Sequence, residues 1–235
     1  MQRFATVTEG RDSWGPDCSI PRHRHAHAYA AVLLEGAYEE CGSCGRYSLR
    51  AGQVLLHRAF DAHLNRFDRR GARILNLRLQ RAPVFSLGRV ADPDALARTA
   101  ETDISAARHL LAEQVGPLEP STADWPDLLA RDLLRDPGLC LSQWASRHGL
   151  APASVSRGFV RVFGTSAAAF RTEARTHGAL ALLATGALCL AEIAAVAGFA
   201  DQAHMTRAVG ALTGHPPGQW RRVNSVQDVR ARARL

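Results

Sequence analysis

The sequence predicts an α+β protein in which a small β-barrel precedes an all-α domain with two helix-turn-helix units. Two observations support this prediction. Between residues 18 and 80, short apolar segments alternate with turns that contain glycine, as in small antiparallel β-structures. Over residues 141–222, one helical pattern occurs twice. Each copy has the order short helix, glycine-led turn and second helix, which is the order of a helix-turn-helix unit.

The predicted strands are short and closely spaced. They cover residues 28–34, 37–38, 46–49, 54–56, 62–67 and 74–79. The segments 41–45 and 51–52 contain glycine and are predicted to be turns between them. Such a series is typical of a sandwich or barrel.

After Pro83 the pattern becomes helical. Apolar residues recur near the helical period from Asp94 to Gln114, and residues 116–122 resemble a linker because they combine glycine, proline and serine. Helices are expected over 125–135 and, without interruption, over 167–184. The predicted organisation is a sensor domain at 1–81, a helical connector and candidate dimerisation segment at 82–123, a double helix-turn-helix domain at 124–222, and a basic tail at 223–235.

Apolar residues at helical spacing define a buried face in each copy of the repeat. These residues are Trp144, Ala145, Val155, Phe159 and Phe163 in the first copy, and Ile193, Ala194, Phe199, Met205, Val209 and Leu212 in the second. Asp201 precedes the last helix and is a candidate N-cap.

The opposite face of each second helix is predicted to be exposed. Its residues are Ala153, Ser156, Arg157 and Arg161 in the first copy, and Gln202, Ala203, Thr206 and Arg207 in the second. Arginine can bond guanine O6 and N7, glutamine can pair with adenine, and the methyl groups of alanine or threonine can contact the thymine methyl. A stiff connecting helix can hold the two units at the ~34 Å spacing of successive major grooves. The repeat therefore predicts a DNA-binding domain.

Residues 124–222 resemble the double helix-turn-helix domain of the AraC/XylS family of bacterial transcription regulators. The resemblance rests on the stretches 141–150, 156–164 and 193–221. It implies binding to double-stranded promoter DNA, with RNA polymerase as a further partner, and base contacts from the exposed residues named above other than Arg161. Ala151 departs from the family pattern because a capping serine usually stands there, and Gly158 is unfavourable inside a helix.

The amino-terminal half resembles the small cupin-like sensor domain that often precedes this DNA-binding unit. The resemblance rests on the histidines and glycines of the segment 21–63, namely His23, His25, His27, Gly36, Gly45, Gly52, His57 and His63. Metal-binding cupins use a His-x-His pair, a glutamate six or seven residues later and a distant histidine. Counted from His25, the glutamate positions hold Ala31 and Val32, so that acid ligand is absent.

Three histidines remain candidate ligands for an effector, for zinc or for another divalent metal. They are His25, His27 and His63, because histidines at i and i+2 share a strand face and three imidazoles suffice for an open zinc site. A solvated or hydrogen-bonded histidine cluster is the alternative. Cys41 and Cys44 are a candidate redox pair or half of a metal site, although their place in a hairpin turn favours incidental cysteines.

The composition is that of a globular protein, with 46% hydrophobic and 22% charged residues. We expect a cytoplasmic location and no membrane association, because no apolar run is long enough to span a bilayer and the first ten residues have no signal core. The net charge of +7 permits phosphate binding.

The expected function is that of a non-enzymatic transcription regulator, with a small-molecule effector and a homodimer as candidate partners. One alternative is a metal-dependent cupin enzyme whose helical half is structural. Another is a DNA-binding module whose barrel binds no ligand.

Overall fold

The computed structural model describes residues 4–120, 124–136 and 138–221. Within these residues the chain forms two compact units, the first comprising 4–128 and 160–164, the second 129–159 and 165–221. Among the helices of these residues, none combines the length and the apolar character that a membrane span requires. The predicted basic tail at 223–235 lies outside the described residues.

The first unit is built on an antiparallel sheet. Its strands are β1 (Gly10–Trp14), β2 (Ser19–Arg24), β3 (Tyr29–Gly42), β4 (Gly45–Arg50), β5 (Gln53–His57), β6 (Ala62–Arg78), β7 (Leu87–Val90) and β8 (Val115–Pro117). The strand order is β1-β6-β3-β5-β7-β8, with β2 also paired to β6 and β4 also paired to β3. Among the described residues β1 and β8 do not pair with each other, so the sheet is open. The mixed fold is as predicted, but the closed barrel is not observed.

The strands β3 and β6 are much longer than predicted. Each was expected as two short strands, at 28–34 and 37–38 for β3 and at 62–67 and 74–79 for β6. Gly36 and Gly71 instead have a positive φ, 82° and 66° respectively, inside continuous strands. The β3–β6 register shifts at this point, and a Cβ atom on Gly36 would collide with the Gly71 carbonyl oxygen. These glycines therefore mark β-bulges, where a strand bends without ending.

The sheet is covered on one face by two helices, α1 (Pro93–Thr102) and α2 (Ile104–Gln114). One helix was expected over this region. The helix is interrupted at Asp103, whose backbone is extended. The Asp103 side chain accepts a hydrogen bond from the Ala106 N–H and so caps the start of α2. The predicted linker begins within β8, which pairs with β7.

Five further helices follow α3 (Trp125–Arg135) in the described residues. They are α4 (Leu141–Arg147), α5 (Pro152–Phe163), α6 (Ala167–Thr185), α7 (Leu190–Val196) and α8 (Gln202–Thr213). The bounds of α3 and α6 agree with the prediction to within one residue. Ser166 caps the start of α6 and Gly186, with φ of 71°, ends it. Helix α6 packs against both α7 and α8.

Candidate nucleic-acid interface and ligand-binding cluster

The helix pairs α4–α5 and α7–α8 have the same turn. Gly149 and Gly198 begin the two turns with φ of 64° and 78°, a left-handed conformation that glycine adopts without a Cβ clash. The residue after each glycine, Leu150 or Phe199, donates its backbone N–H to the carbonyl five residues earlier at 2.9 Å. The sequence repeat is therefore also a repeat of local structure.

Buried apolar side chains form the core of each helix pair. Every residue predicted for these two cores is buried. The Phe159 ring of α5 packs edge-on against Phe170 of α6, with centroids 5.4 Å apart. Trp144 of α4 is buried and donates its indole N–H to the Asp132 carboxylate at 2.9 Å. The apolar face of the second helix in each pair, α5 or α8, is therefore buried, and its opposite face is directed outward.

Helices α5 and α8, the second helix of each pair, differ in how their first turn is capped. Asp201 caps α8, because its carboxylate accepts a hydrogen bond from the His204 N–H at 2.6 Å. Helix α5 follows Ala151, whose methyl group cannot accept such a bond. Pro152, the first residue of α5, has no N–H to satisfy, which removes one unpaired donor. The start of α5 thus lacks a side-chain cap that is typically worth about 1 kcal/mol.

The residues predicted to contact bases lie on the outer faces of α5 and α8. In α5 the side chains of Ala153, Ser156, Arg157 and Arg161 are exposed; in α8 those of Gln202, Ala203 and Arg207 are exposed and Thr206 is half-buried. Within the part of the chain that the structure describes, no hydrogen bond or ion pair engages the guanidinium group of Arg157 or Arg207. Both groups are therefore available to an external acceptor.

The first unit contains a cavity of about 330 Å³, a volume that suits a small ligand. It lies on the sheet face opposite α1 and α2, where Tyr29, Ala31 and Tyr38 are buried. Trp14 and Phe67 form an apolar wall, with their rings stacked at 5.3 Å. The polar part of the lining includes histidine, glutamate and asparagine side chains.

Strand pairing brings the polar side chains together. His23 of β2 lies opposite His63 of β6, and Glu40 of β3 lies opposite Asn65 of β6. Two overlapping groups of possible metal ligands result, and within each group the ligand atoms all lie within 4.8 Å of one another. The outer group is His23, His25 and His63, and the inner group is Glu40, His57 and His63.

Hydrogen bonds fix the orientation of several of these groups. The Nδ1 atoms of His23 and His25 lie 2.9 Å and 2.8 Å from the carbonyl oxygens of Pro21 and Ala5. Because a carbonyl oxygen can only accept, Nδ1 is the donor in both rings and Nε2 keeps its lone pair. In the inner group, Asn65 Nδ2 donates to Glu40 Oε2 at 2.9 Å.

Burial controls the protonation of the cluster. It lowers the pKa of His57 to about 3 and lowers the pKa of His63 well below its ordinary value. It also lowers the pKa values of the less buried His23 and His25. The imidazoles are thus neutral at pH 7, which is the form that binds metals. Burial raises the pKa of Glu40 to about 8, against the opposing effect of its hydrogen bond from Asn65.

The structure brings together two of the three predicted histidine ligands, His25 and His63. The third, His27, is exposed and lies in neither group. The strand alternation that should have placed His25 and His27 on one face does not continue, because β2 ends at Arg24. His23 takes the expected place instead, two residues before His25.

The sequence reasoning missed two members of the inner group, His57 and Glu40. Ala31 and Val32 offer no carboxylate, but Glu40, from the far half of the same strand, lies in the inner group of possible ligands. A hairpin alignment of the two long strands would have placed Glu40 beside Asn65, but that signal requires the bulges to be known.

The cysteines of the β3–β4 hairpin do not form a disulfide. Cys41 is buried and Cys44 is half-buried, and burial raises the pKa of each thiol to about 12. The Cys44 thiol donates to Asp61 at 3.4 Å. Neither cysteine belongs to the two groups of possible metal ligands. A thiolate-based redox or metal role has no support from this arrangement, because the reactive form is the thiolate.

The family model described as "Helix-turn-helix domain" matches residues 144–223. No curated protein sequence matches the chain. The chain therefore carries a helix-turn-helix domain, a class of module that transcription regulators use to bind DNA.

The chain is also similar to several solved structures. One is the C-terminal domain of AraT, a response regulator from Geobacillus stearothermophilus, with 25% identity over 42% of this chain and 84% of that one and a TM-score of 0.39. A probable AraC family transcriptional regulator from Rhodopseudomonas palustris has 20% identity over 41% and 93%, with a TM-score of 0.39. ToxT from Vibrio cholerae has 7% identity over 90% and 97%, with a TM-score of 0.41.

Proposed function

We propose that this protein is a sequence-specific DNA-binding transcription regulator of the AraC type, which places α5 and α8 in successive major grooves of a promoter. The observation that carries the proposal is the duplicated helix pair with an unengaged arginine, Arg157 or Arg207, at the matching position of each outer face. A helix pair that is only structural gives no reason for an arginine without a partner among the described residues to recur at the same position.

Charge and geometry support the proposal. The chain carries a net charge of +7, which favours association with phosphate. Helix α6 joins the two pairs and has 19 residues, which correspond to a rod of roughly 28 Å. A rod of this length suits two units that enter neighbouring grooves. RNA polymerase and a second copy of the chain are the further partners that we propose for such a regulator.

The cavity of the first unit supports a sensor role. An effector that binds there more tightly in one conformational state would shift the population toward that state and so change DNA affinity. A metal-dependent enzyme is the second candidate, because Glu40 gives the histidine cluster the carboxylate that a purely histidine set lacks. The enzyme candidate predicts turnover that requires the cluster, whereas the regulator candidate predicts DNA binding that requires the two arginines.

The test begins with selection of fragmented genomic DNA from the source organism by the full-length protein, followed by sequencing. Fluorescence anisotropy then measures Kd for a selected duplex at fixed salt. Arg157→Ala and Arg207→Ala are each expected to cost about 1–3 kcal/mol, or roughly 5- to 150-fold in Kd. The two effects should be nearly additive, because the grooves are separate.

The charge-matched control is Arg98→Ala, which removes an exposed arginine from α1. It is expected to leave Kd for the selected duplex nearly unchanged. The proposal is wrong if no genomic fragment is enriched, or if both recognition-helix variants bind the selected duplex as tightly as the unmodified protein does.

A further inference from the structure

Three buried side chains that can donate an electron pair to a metal, one from each of three strands, meet beside the cavity of the first unit. Glu40 comes from β3, His57 ends β5 and His63 lies near the start of β6. Their relative exposures are 4%, 6% and 3%, and their ligand atoms lie within 4.8 Å of one another. Such a concentration of polar groups away from solvent is unfavourable unless something satisfies them.

The hydrogen bonds described within the first unit satisfy these groups only in part. Among the described residues, His57 Nε2 and His63 Nδ1 are buried and have no hydrogen-bond partner. His57 Nδ1 faces Glu40 Oε1 at 3.6 Å, which is too long for a good hydrogen bond. A metal ion would complete such an arrangement, because it accepts electron pairs from imidazole nitrogens and from a carboxyl oxygen at once.

We propose that Glu40, His57 and His63 are the protein ligands of a divalent transition-metal ion. Two imidazoles and one carboxylate form a donor set that zinc uses in open sites, where a water or another ligand takes the fourth position. Tetrahedral ligands about 2.1 Å from zinc lie ~3.4 Å apart. The 3.6 Å between His57 Nδ1 and Glu40 Oε1 is already close to that value.

Neighbouring side chains support this ligand set. Asn65 holds Oε2 of Glu40 and leaves Oε1 toward His57. The Tyr29 ring stacks on the His57 ring at 4.4 Å, and its hydroxyl lies 3.2 Å from His63 Nε2. Such outer contacts orient metal ligands and are part of a metal site.

The inner group suits a cation better than the outer group of His23, His25 and His63. The outer group offers only neutral imidazoles, and His23 is only half-buried. The inner group includes Glu40, whose carboxyl group loses its proton when it binds a metal, and the resulting negative charge offsets that of a buried divalent ion. Glu40 and His63 also line the cavity, so an open coordination position would face the space that a ligand could enter.

The site deepens the proposed function, since the metal, or a small ligand bound to it, would be the input of the sensor. Only this regulatory consequence rests on DNA binding. Metal binding is measured without DNA, and the effect of Zn²⁺ on anisotropy with the selected duplex is a separate measurement. Failure of one measurement therefore does not decide the other.

The experiment titrates chelator-treated full-length protein with Co²⁺ by visible absorption and with Zn²⁺ by calorimetry. We expect one ion per chain, with the absorption of four- or five-coordinate Co²⁺. Glu40→Gln, which keeps the size and the Asn65 contact of the side chain, should raise the metal Kd at least about 100-fold, as should His57→Asn. His27→Ala is the control and should leave Kd unchanged.

Two results would overturn the assignment. In the first, the unmodified protein binds neither Co²⁺ nor Zn²⁺. In the second, His23→Ala abolishes binding while Glu40→Gln does not, which would place the ion in the outer group. Circular dichroism of each metal-free variant shows whether it is folded, and because Glu40→Gln is nearly isosteric it gives the answer even if His57→Asn unfolds the first unit.

Discussion

The same substitution, glycine to alanine, should have opposite effects at two positions of the helical unit. Gly149 begins the turn of the first helix pair with φ of 64°, and a Cβ atom there would meet nothing within 4 Å. Gly178 lies inside α6, is exposed, and likewise has open space where a Cβ would be. An added methyl group would therefore clash with no neighbouring group at either position. The two positions differ only in their backbone conformation.

The backbone difference gives the magnitude. Alanine in the left-handed conformation costs about 1–2 kcal/mol, so Gly149→Ala should destabilise the helical unit by that amount. Alanine in a helix interior is better than glycine by roughly 0.5–1 kcal/mol, so Gly178→Ala should stabilise it. Gly198→Ala should cost about the same as Gly149→Ala, because its φ is also positive and the nearest atom to its Cβ, Arg175 Nε at 3.4 Å, is at an ordinary contact distance.

Hydrogen-exchange mass spectrometry is the suitable assay, because peptides from 138–221 report on the helical part of a two-unit chain by itself. The free energy of opening should fall for the two turn variants and rise for Gly178→Ala. If Gly149→Ala is as stable as the unmodified protein, the turn is not the left-handed turn described here. If Gly178→Ala is destabilising, the assignment of that residue to an uninterrupted α6 is wrong.

Three further outcomes are expected. Asp201→Ala should destabilise α8 by about 1 kcal/mol in the same exchange assay, whereas Ala151→Ser should stabilise α5, and equal responses would refute the difference in capping. Arg161→Ala should lower the slope of log Kd for DNA against log salt by about one if this exposed arginine contacts a phosphate, and an unchanged slope excludes that contact. Gly42→Ala should weaken Co²⁺ binding by more than about tenfold, because its Cβ would lie 2.9 Å from both the Ala62 carbonyl oxygen and the Cβ of His63 and would displace His63; intact affinity would contradict a metal contact from His63.

The helical unit could be predicted from the sequence because its signals are local. The turn glycines, the apolar spacing and the Asp201 cap each depend on residues within one or two helical turns. The core residues and outer faces follow from that period alone, and the structure places all of the predicted core residues inside. The effect of Ala151 was also visible, since a missing cap is a property of one position.

The sheet could be predicted only in kind. From the local sequence, Gly36 and Gly71 could equally belong to turns or to bulges. Only pairing with the opposing strand shows that they form bulges in continuous strands. The strands at the edges were not expected for a related reason. β8 has three residues and exists because its backbone pairs with β7, a contact between residues more than 20 positions apart.

The position of Glu40 shows how pairing between distant strands determines the composition of the proposed metal site. Strict alternation along β3 from Tyr29 would put Glu40 on the sheet face of Ala30, under the helices and away from the histidines. The register of β3 against β6 shifts between Leu33 and Glu35, and again beyond Gly36. After these shifts Tyr38 shares the face of Tyr29, and Glu40, two residues further, also lines the cavity. The carboxylate therefore reaches His57 and His63 because of a bulge, and a search at fixed spacing from a histidine cannot find a ligand whose face is set by the partner strand.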